Sequence, residues 1–487
     1  MVPGCHTPAA PAYTLNAMPP SRRRTGDRSA RAPIPTTSPR PPGPARRQPR
    51  RCLLAVVALT VLAPLAPVPD TAIPAAFAQE PAVRPPTVPP HLLNRNSPED
   101  SLADSLAGSD LRVSLVTMGP GRAVWELFGH NALLIENTRT GERLAYNWGL
   151  FDFADEDFYS NFIRGAMRYW MAPFDADGMI AAYTRDGRDV YEQVLNLTPV
   201  QRARLHAYVD WNALEENSHY HYDYFLDNCS TRIRDVIDLA LGGALRTALD
   251  TQPTGTTFRW HSRRLTQVQP LTYIGIEAGL ASPTDRPISA WAESFLPMQL
   301  REHVRTVQVT AADGRAEPLV LSERVLYDGP LPGEPALPPT WWPWFLAAGV
   351  VVGVVIVQLA RSTVHGSRTA ANWLAGFTIG WSSLAGIAGL LILFLWFGTA
   401  HSATQGNWNV LQFNPLSLVL VPLLPGMIRN GRARAATRRI AAVVASLAVV
   451  GAALVAVPLQ YTIEMVALAL PIHLAVAWAV SRVSRAG

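Results

Sequence analysis

An α+β domain followed by an all-α bundle of about five transmembrane helices is the fold class that the sequence predicts. Three observations carry this prediction. Of the 487 residues 48% are apolar, and beyond Trp341 they gather into stretches of membrane-spanning length. Before Trp341, short alternating runs are interspersed with segments of helical periodicity, the mixture expected of an α+β domain. The charge is also unevenly placed. Residues 1–51 hold ten Arg against one Asp, so the rest of the chain is net −4 although the whole is +5. The isoelectric point near 9.3 is therefore no argument for nucleic-acid binding, and no nucleic-acid partner is expected. Lysine is absent, which excludes a lysine Schiff base and a P-loop lysine.

Residues 1–51 combine twelve Pro with the Arg cluster and show no apolar periodicity, the composition of a disordered extension. Residues 52–78 read as a signal peptide. Arg46, Arg47, Arg50 and Arg51 precede the apolar run Leu53–Val68, and Ala76-Phe77-Ala78 offers a cleavage site. Cleavage there leaves Cys229 as the sole thiol, since Cys5 and Cys52 lie upstream. A single thiol in an oxidising compartment has no disulfide partner within the chain and no companion for a structural zinc site. Residues 79–109 read as a linker, 110–328 as the folded domain, 329–340 as a Pro-rich tether and 341–487 as the transmembrane domain.

The apolar stretches are Trp341–Ala360, Trp373–Gly398, Val410–Ile428, Ile440–Leu459 and Tyr461–Val480. Arg361 and Arg368 lie between the first two, Arg429 to Arg439 between the third and fourth, and Arg482 and Arg485 after the fifth. The loops without Arg, 399–409 and the turn near Gln460, then face outward by the positive-inside rule. That orientation puts the domain before Trp341 outside the cytoplasm, in agreement with the export signal. Pro415, Pro422 and Pro425 interrupt the third stretch and predict a kinked or re-entrant segment.

Within the domain, Leu111–Val116 alternates like a strand. Asn131–Glu136 and Arg143–Trp148 flank Thr138-Arg139-Thr140-Gly141 as a β-hairpin. Phe158–Ile163 reads as a short helix, Val190–Leu197 as a strand, and Thr198-Pro199 as the cap and first residue of a helix over 200–216. Tyr222–Leu226 is a short aromatic strand or lead-in. Cys229–Leu241 is a helix stopped by Gly242-Gly243, and Trp291–Val304 is a further amphipathic helix.

The Cys229 helix start suggests chemistry. Free N–H groups and the positive end of the helix dipole stabilise a thiolate there, and the thiolate is the nucleophilic form. A buried inert cysteine is the alternative. A thiol nucleophile needs a base, and His130 opens a strand after Gly129. A hairpin turn centred between Arg139 and Thr140 sets His130 opposite Gly149, with Asn147 its diagonal neighbour on the same face. An amide there can hold the imidazole tautomer, as the third group of a triad does. His219 and His221 lack a third ligand with metal spacing, so no metal and no cofactor are expected.

Three blocks, WELFGHNA at 125–132, YNWGLFDF at 146–153 and YDYFLDNCSTRIRD at 222–235, resemble the DUF4105 family, the N-terminal periplasmic domain of lipoprotein N-acyltransferase B. His401, Asn407-Trp408-Asn409 and Asn414-Pro415-Leu416 are similar to the membrane part of that family. The likeness covers about 110–300 well and 341–487 loosely. It implies a circularly permuted papain-like (NlpC/P60-type) thiol fold in which the histidine precedes the cysteine. It implies Cys229 as nucleophile, His130 as general base and acid and, less directly, Asn147 as the third member. Asn131, Tyr224 and Asn228 are candidate substrate-binding residues, as are His401, Asn407 and Asn409 of the outward loop. The implied activity is a membrane-bound acyltransferase at the outer face of the bacterial inner membrane. Its donor would be a phospholipid or a lipoprotein glyceryl ester, and its acceptor the N-terminal amine of a diacylglyceryl-cysteine lipoprotein. A thiol amidase or peptidase acting on cell-wall peptides, or a non-enzymatic membrane scaffold, are the other readings of the same residues.

Overall fold

The computed structural model describes residues 98–310, 314–426 and 434–484. The basic extension 1–51, the signal peptide 52–78 and the linker as far as residue 97 lie outside the described residues. The last part of the expected linker is instead a helix, α1 (Pro98–Ser109). Proline suits its first turn, Asp104 is buried against Arg204 at 3.0 Å, and Gly108 lies so close to the Pro199 carbonyl that no side chain would fit.

From there the chain runs β1 (Leu111–Met118), β2 (His130–Asn137), β3 (Arg143–Leu150), α2 (Phe158–Arg164), β4 (Arg168–Asp175), α3 (Ala176–Arg185), β5 (Val190–Leu195), α4 (Pro199–Asn212), β6 (His219–His221) and α5 (Cys229–Ala240). It continues through α6 (Phe258–Thr266), α7 (Pro270–Gly279), α8 (Pro297–Thr306) and β7 (Val320–Tyr327). Seven strands form one antiparallel sheet in the order β7-β5-β1-β2-β3-β4-β6. Period-two alternation explains its two faces. Val113, Leu115, Leu133, Ile135, Tyr146 and Trp148 pack against Leu205 and Val209 of α4, Ile233 and Ile237 of α5, and Leu300 and Val304 of α8. Val116, Ala132, Leu134 and Ala145 pack on the other face against Met179 and Tyr183 of α3. The α+β class follows from this antiparallel sheet covered by helices.

Two expected elements differ. The helix over 291–304 is broken by Pro297 into a short turn at Ala290–Glu293 and α8, because proline cannot donate to the preceding turn. Residues 222–226 are not a strand. The aromatic edge strand comes just before them as β6, and Asp223 and Asp227 meet in a single bridge. The helix after Thr198 starts as expected, Thr198 accepting from the Gln201 N–H, but ends at Asn212.

The membrane half contains α9 (Trp342–Val364), α10 (Arg368–Phe397), α11 (Ala435–Ala453) and α12 (Ile463–Val483). Among the described residues these are the four helices long and apolar enough to cross a bilayer, not five. The expected third span is a turn at Trp408–Leu411 followed by a short apolar helical stretch, Ser417–Gly426. Pro415 and Pro422 remove backbone donors there. The interrupted segment passes between α10 and α11: Phe413 lies against Gly389, Leu418 against Gly386 and Gln412 against Gly451. Gln412 ties this segment to the bundle, its side-chain amide donating to the Ala448 carbonyl at 2.9 Å and its backbone carbonyl accepting from His473 Nε2 at 2.8 Å.

The sheet domain is clamped to the outer end of the bundle. Arg263 of α6 donates through Nη2 to Glu464 at 3.0 Å, to the Tyr461 hydroxyl at 2.9 Å and to the Pro339 carbonyl at 3.0 Å. The Tyr273 hydroxyl of α7 reaches both Glu464 oxygens at 2.9 Å. The outward loop 399–409 supplies a second set of ties, among them Ala400 N–H to the Arg164 carbonyl and Ser402 to Asp223, both 2.7 Å.

Candidate active site

The hairpin register is the one its turn requires. Leu133 pairs with Tyr146 and Glu136 with Arg143, and the paired stretch stops three residues short of His130. Gly149 has φ +89°, a conformation that side-chain-bearing residues avoid. Its Cα faces Cys229, since a β-carbon built there would sit 3.6 Å from Cys229 Cβ and 3.7 Å from the Tyr222 ring. Gly129, before His130, has φ +79° and passes so near the Met118 carbonyl that a β-carbon would be only 2.8 Å from it.

His130 Nε2 and Asn147 Oδ1 are 3.1 Å apart. An amide oxygen only accepts, so Nε2 carries the proton and Nδ1 keeps its lone pair. The amide nitrogen of Asn147 is anchored in turn, donating to the Ala145 carbonyl at 3.0 Å and lying 3.4 Å from the Met179 sulfur. The other side of the imidazole is fixed by stacking on Tyr183, 6.2 Å between ring centres and 12° between planes. The Arg188 guanidinium lies over the same tyrosine, 4.6 Å from its ring centre.

Cys229 begins α5, and the Asn228 side chain caps that helix by accepting from the Ser230 and Thr231 N–H groups at 2.9 Å each. The cysteine is half-buried. Burial pushes its thiol up to about 11, against the N–H groups of Asn131, Ser230 and Cys229 and the charge of Arg188, which all favour the thiolate. The Asn131 N–H follows His130 directly in the chain, so the strand that carries the imidazole also delivers a donor to the sulfur. Burial likewise lowers His130 to about 4, with the Asn147 bond opposing and Arg188 assisting. At rest both groups are thus neutral, Cys229 as the thiol and His130 as the imidazole. The N–H groups at the helix start favour the thiolate as the sequence suggests, and burial opposes them.

Four candidate substrate-binding residues have other work. Asn228 is the cap just described, and its amide nitrogen is spent on the Tyr224 and Phe295 carbonyls at 2.9 and 3.0 Å. The Asn131 side chain is fully buried and donates to Thr117 at 2.8 Å; only its backbone faces the site. Asn407 and Asn409 are buried beneath α7, donating to the carbonyls of Ala278 and Gly279 and of Glu277 and Ala278 respectively. They hold the outward loop to the domain. Tyr224 and His401 remain at the rim, their rings stacked 6.1 Å apart. Tyr183, Tyr222 and Arg188 also build the site; Arg188 sits in a polar loop with no motif around it, and only the fold brings it near.

Comparison with known families follows the same division. The Lnb N-terminal periplasmic domain matches residues 99–264, and the Lnb transmembrane domain matches residues 343–485. No curated protein and no solved structure matches the chain. The first match spans β1 to α6 and so includes His130, Asn147 and Cys229; the second includes all four long apolar helices and the outward loop. The chain carries, in order, the periplasmic and the transmembrane domains of the Lnb family, and is a multi-pass inner-membrane protein with its N-terminal domain in the periplasm.

Proposed function

We propose that the protein is a lipoprotein N-acyltransferase in which Cys229 carries the acyl chain as a thioester. The observation that supports this best is the His130–Asn147 bond on a strand whose next N–H, that of Asn131, reaches the sulfur of a cysteine at a capped helix start, all held at the outer end of a membrane bundle. The chain order, histidine before cysteine, fits the permuted papain-like architecture that the sequence resemblance implies.

In the first half-reaction His130 Nδ1 takes the Cys229 proton as the sulfur attacks the carbonyl of an acyl ester. The C–S bond forms, the C–O bond breaks, and the imidazolium returns the proton to the departing alkoxide. In the second, the α-amine of a diacylglyceryl-cysteine attacks the thioester. The C–N bond forms, His130 accepts the ammonium proton, and the C–S bond breaks as the imidazolium passes that proton to the sulfur and regenerates the thiol. A neutral resting pair suits both halves, because the proton moves only as bond formation demands it. The N–H groups converging on the sulfur, those of Cys229 and Asn131 among them, are donors that a tetrahedral oxyanion can use. The Asn147 oxygen stabilises the imidazolium that forms at each step. Both substrates are lipid-anchored, and a site clamped to the bundle meets them without drawing acyl chains into water.

The test is intact mass spectrometry of lipoproteins from cells dependent on this protein, wild type beside Cys229→Ala. The expected result is loss of the N-linked acyl chain in the variant. Unchanged triacylated lipoproteins would overturn the proposal, and an accumulation of uncleaved cell-wall peptides instead would favour the amidase chemistry.

A further inference from the structure

One exposed apolar surface lies outside the catalytic groups. Tyr159, Phe162 and Ile163 share a face of α2 by their i, i+3 and i+4 spacing, and Tyr159 and Ile163 are 62% and 54% exposed. Trp125 and Phe153 extend this face, their rings 5.4 Å apart, and both are exposed. A contiguous aromatic patch of this kind on a periplasmic domain calls for a partner.

Its position names the partner. α2 ends at Gly165, which abuts the backbone of His401 so closely that a β-carbon would lie 2.7 Å from the His401 nitrogen. The Ala400 N–H bonds the Arg164 carbonyl, and the Phe162 ring meets His401 at 6.4 Å. Membrane helix α10 ends at Phe397, only three residues before Ala400. α2 therefore stands at the outer end of a membrane span, at the level where aromatic residues collect. The rings also continue inward. Phe153 and Phe158 contact Phe151 at 4.9 and 5.5 Å, Phe151 contacts Tyr169 at 5.0 Å, and Tyr169 contacts Tyr222 at 4.5 Å. Tyr222 lines the same gap over Gly149 as Cys229.

We infer that α2, with Trp125 and Phe153, is a membrane-contacting lip whose occupant is the outer leaflet of the same bilayer, and that the aromatic row behind it leads an acyl chain to Cys229. The lipid contact stands by itself; only the delivery of a chain to the sulfur rests on the acyl-transfer proposal. The acidic run Asp155-Glu156-Asp157 precedes the lip and Arg164 and Arg168 follow it, all exposed, so charge borders the apolar face and sets a shallow depth.

The experiment uses the full chain with Cys5, Cys52 and Cys229 replaced by Ser, reconstituted in phosphatidylcholine vesicles. An environment-sensitive fluorophore is attached at Tyr159→Cys, at Phe162→Cys, or at Leu321→Cys on the opposite edge strand β7, which is equally exposed. The two lip labels are expected to emit at shorter wavelength and to lose about half their intensity when the lipids are brominated near the carbonyl end of the acyl chains, the depth of an interfacial helix. The Leu321→Cys label is expected to be unaffected. Lip labels that behave like the Leu321→Cys label would overturn the inference, as would equal quenching at all three sites. Neither result bears on lipoprotein acylation, so failure of the lip and failure of the enzymatic proposal are told apart.

Discussion

Two clusters of buried polar groups, one around Cys229 and one around Arg263, use hydrogen-bonding capacity in opposite ways. Around Arg263 it is nearly saturated. One guanidinium nitrogen serves three oxygens, Tyr273 bridges both oxygens of Glu464, and Arg259 is bonded to Asp285 at 2.8 Å and to the Leu280 carbonyl. Around Cys229 capacity is left over. His130 has its side-chain bond to Asn147, while Arg188 Nη2 and the Tyr220 hydroxyl are buried without a hydrogen-bond partner among the described residues. A saturated polar cluster is rigid and costly to breach. An unsaturated one holds donors ready for charge that appears only during a reaction. The first cluster fixes where the domain sits on the membrane, and the second is where chemistry is expected.

The largest expected effect is also the cleanest test of that contrast. Cys229→Ala should reduce lipoprotein N-acylation by on the order of 10⁴-fold or more, since removal of a nucleophile leaves only binding and oxyanion stabilisation. Its thermal unfolding in detergent should stay close to wild type, because the sulfur has no structural partner as strong as those at Arg263. Arg263→Ala should do the reverse. Leaving Glu464 and Glu277 without their guanidinium should destabilise docking by about 3–5 kcal/mol, read as earlier unfolding and as faster proteolytic release of the periplasmic domain. Acylation would then fall because the site leaves the bilayer surface. A Cys229→Ala protein that unfolds much earlier than wild type, or an Arg263→Ala protein that does not, would erase the distinction.

Asn147→Ala should have an intermediate effect. The bond it removes is to an imidazole that is charged only in the reaction, and such bonds contribute about 1.5–3 kcal/mol. A loss of about 10- to 100-fold in turnover is expected, with apparent substrate affinity little changed. Asn147→Asp should restore ring orientation in part and raise the acidity range over which His130 holds a proton. The neutral state of the pair is tested by the pH dependence of Cys229 alkylation with iodoacetamide. The rate should climb steadily with pH toward about 11. A fast plateau between pH 5 and 8 would show a standing thiolate–imidazolium pair.

What could be read beforehand depended on whether a feature was local. The hairpin register over 133–146 followed from Thr138–Gly141, and the His130–Asn147 neighbours it suggested are in contact. The start of α5 followed from Asn228 as cap and Gly242-Gly243 as stop. Asparagine roles were not legible, because an amide that caps a helix, ties a loop or binds a ligand has the same composition. Asn228, Asn407 and Asn409 differ from Asn147 only in which carbonyls surround them. Hydropathy counts apolar residues and not backbone donors, so it could not tell that among the described residues four stretches are helices of membrane-crossing length while the third, with its prolines, is a turn and a short apolar helix. Arg188 and Tyr183 became visible only through packing, since each lies over 50 residues from His130 in the chain.

The smallest expected effect concerns the one carboxyl that the Arg263 cluster leaves without a hydrogen bond among the described residues. Two guanidiniums, Arg259 and Arg263, meet three carboxyls, Asp285, Glu464 and Glu277. Asp285 and Glu464 hold the short bonds, whereas Glu277 lies 3.6 Å from Arg259 and 3.7 Å from Arg263, and its Oε1 makes no hydrogen bond. It is the surplus anion, and burial raises it to about 7 despite both arginines, with Glu464 and Asp285 adding to the rise. The folded protein therefore binds this proton more tightly than the unfolded chain, where the carboxyl returns to its ordinary value of 4.5. The stabilisation is complete below that value and is lost as pH rises through 7. Glu277→Gln imitates the protonated carboxyl in shape, so at pH 5 it should change stability by less than about 1 kcal/mol. Between pH 5 and 8 the wild-type unfolding temperature should fall and that of Glu277→Gln should fall less. At pH 8 the variant should then be the more stable protein, even though it has lost a buried charge beside two arginines. Parallel curves would mean that Glu277 is ionised throughout, and that the clamp is a network of five charges, not two matched pairs and a neutral acid.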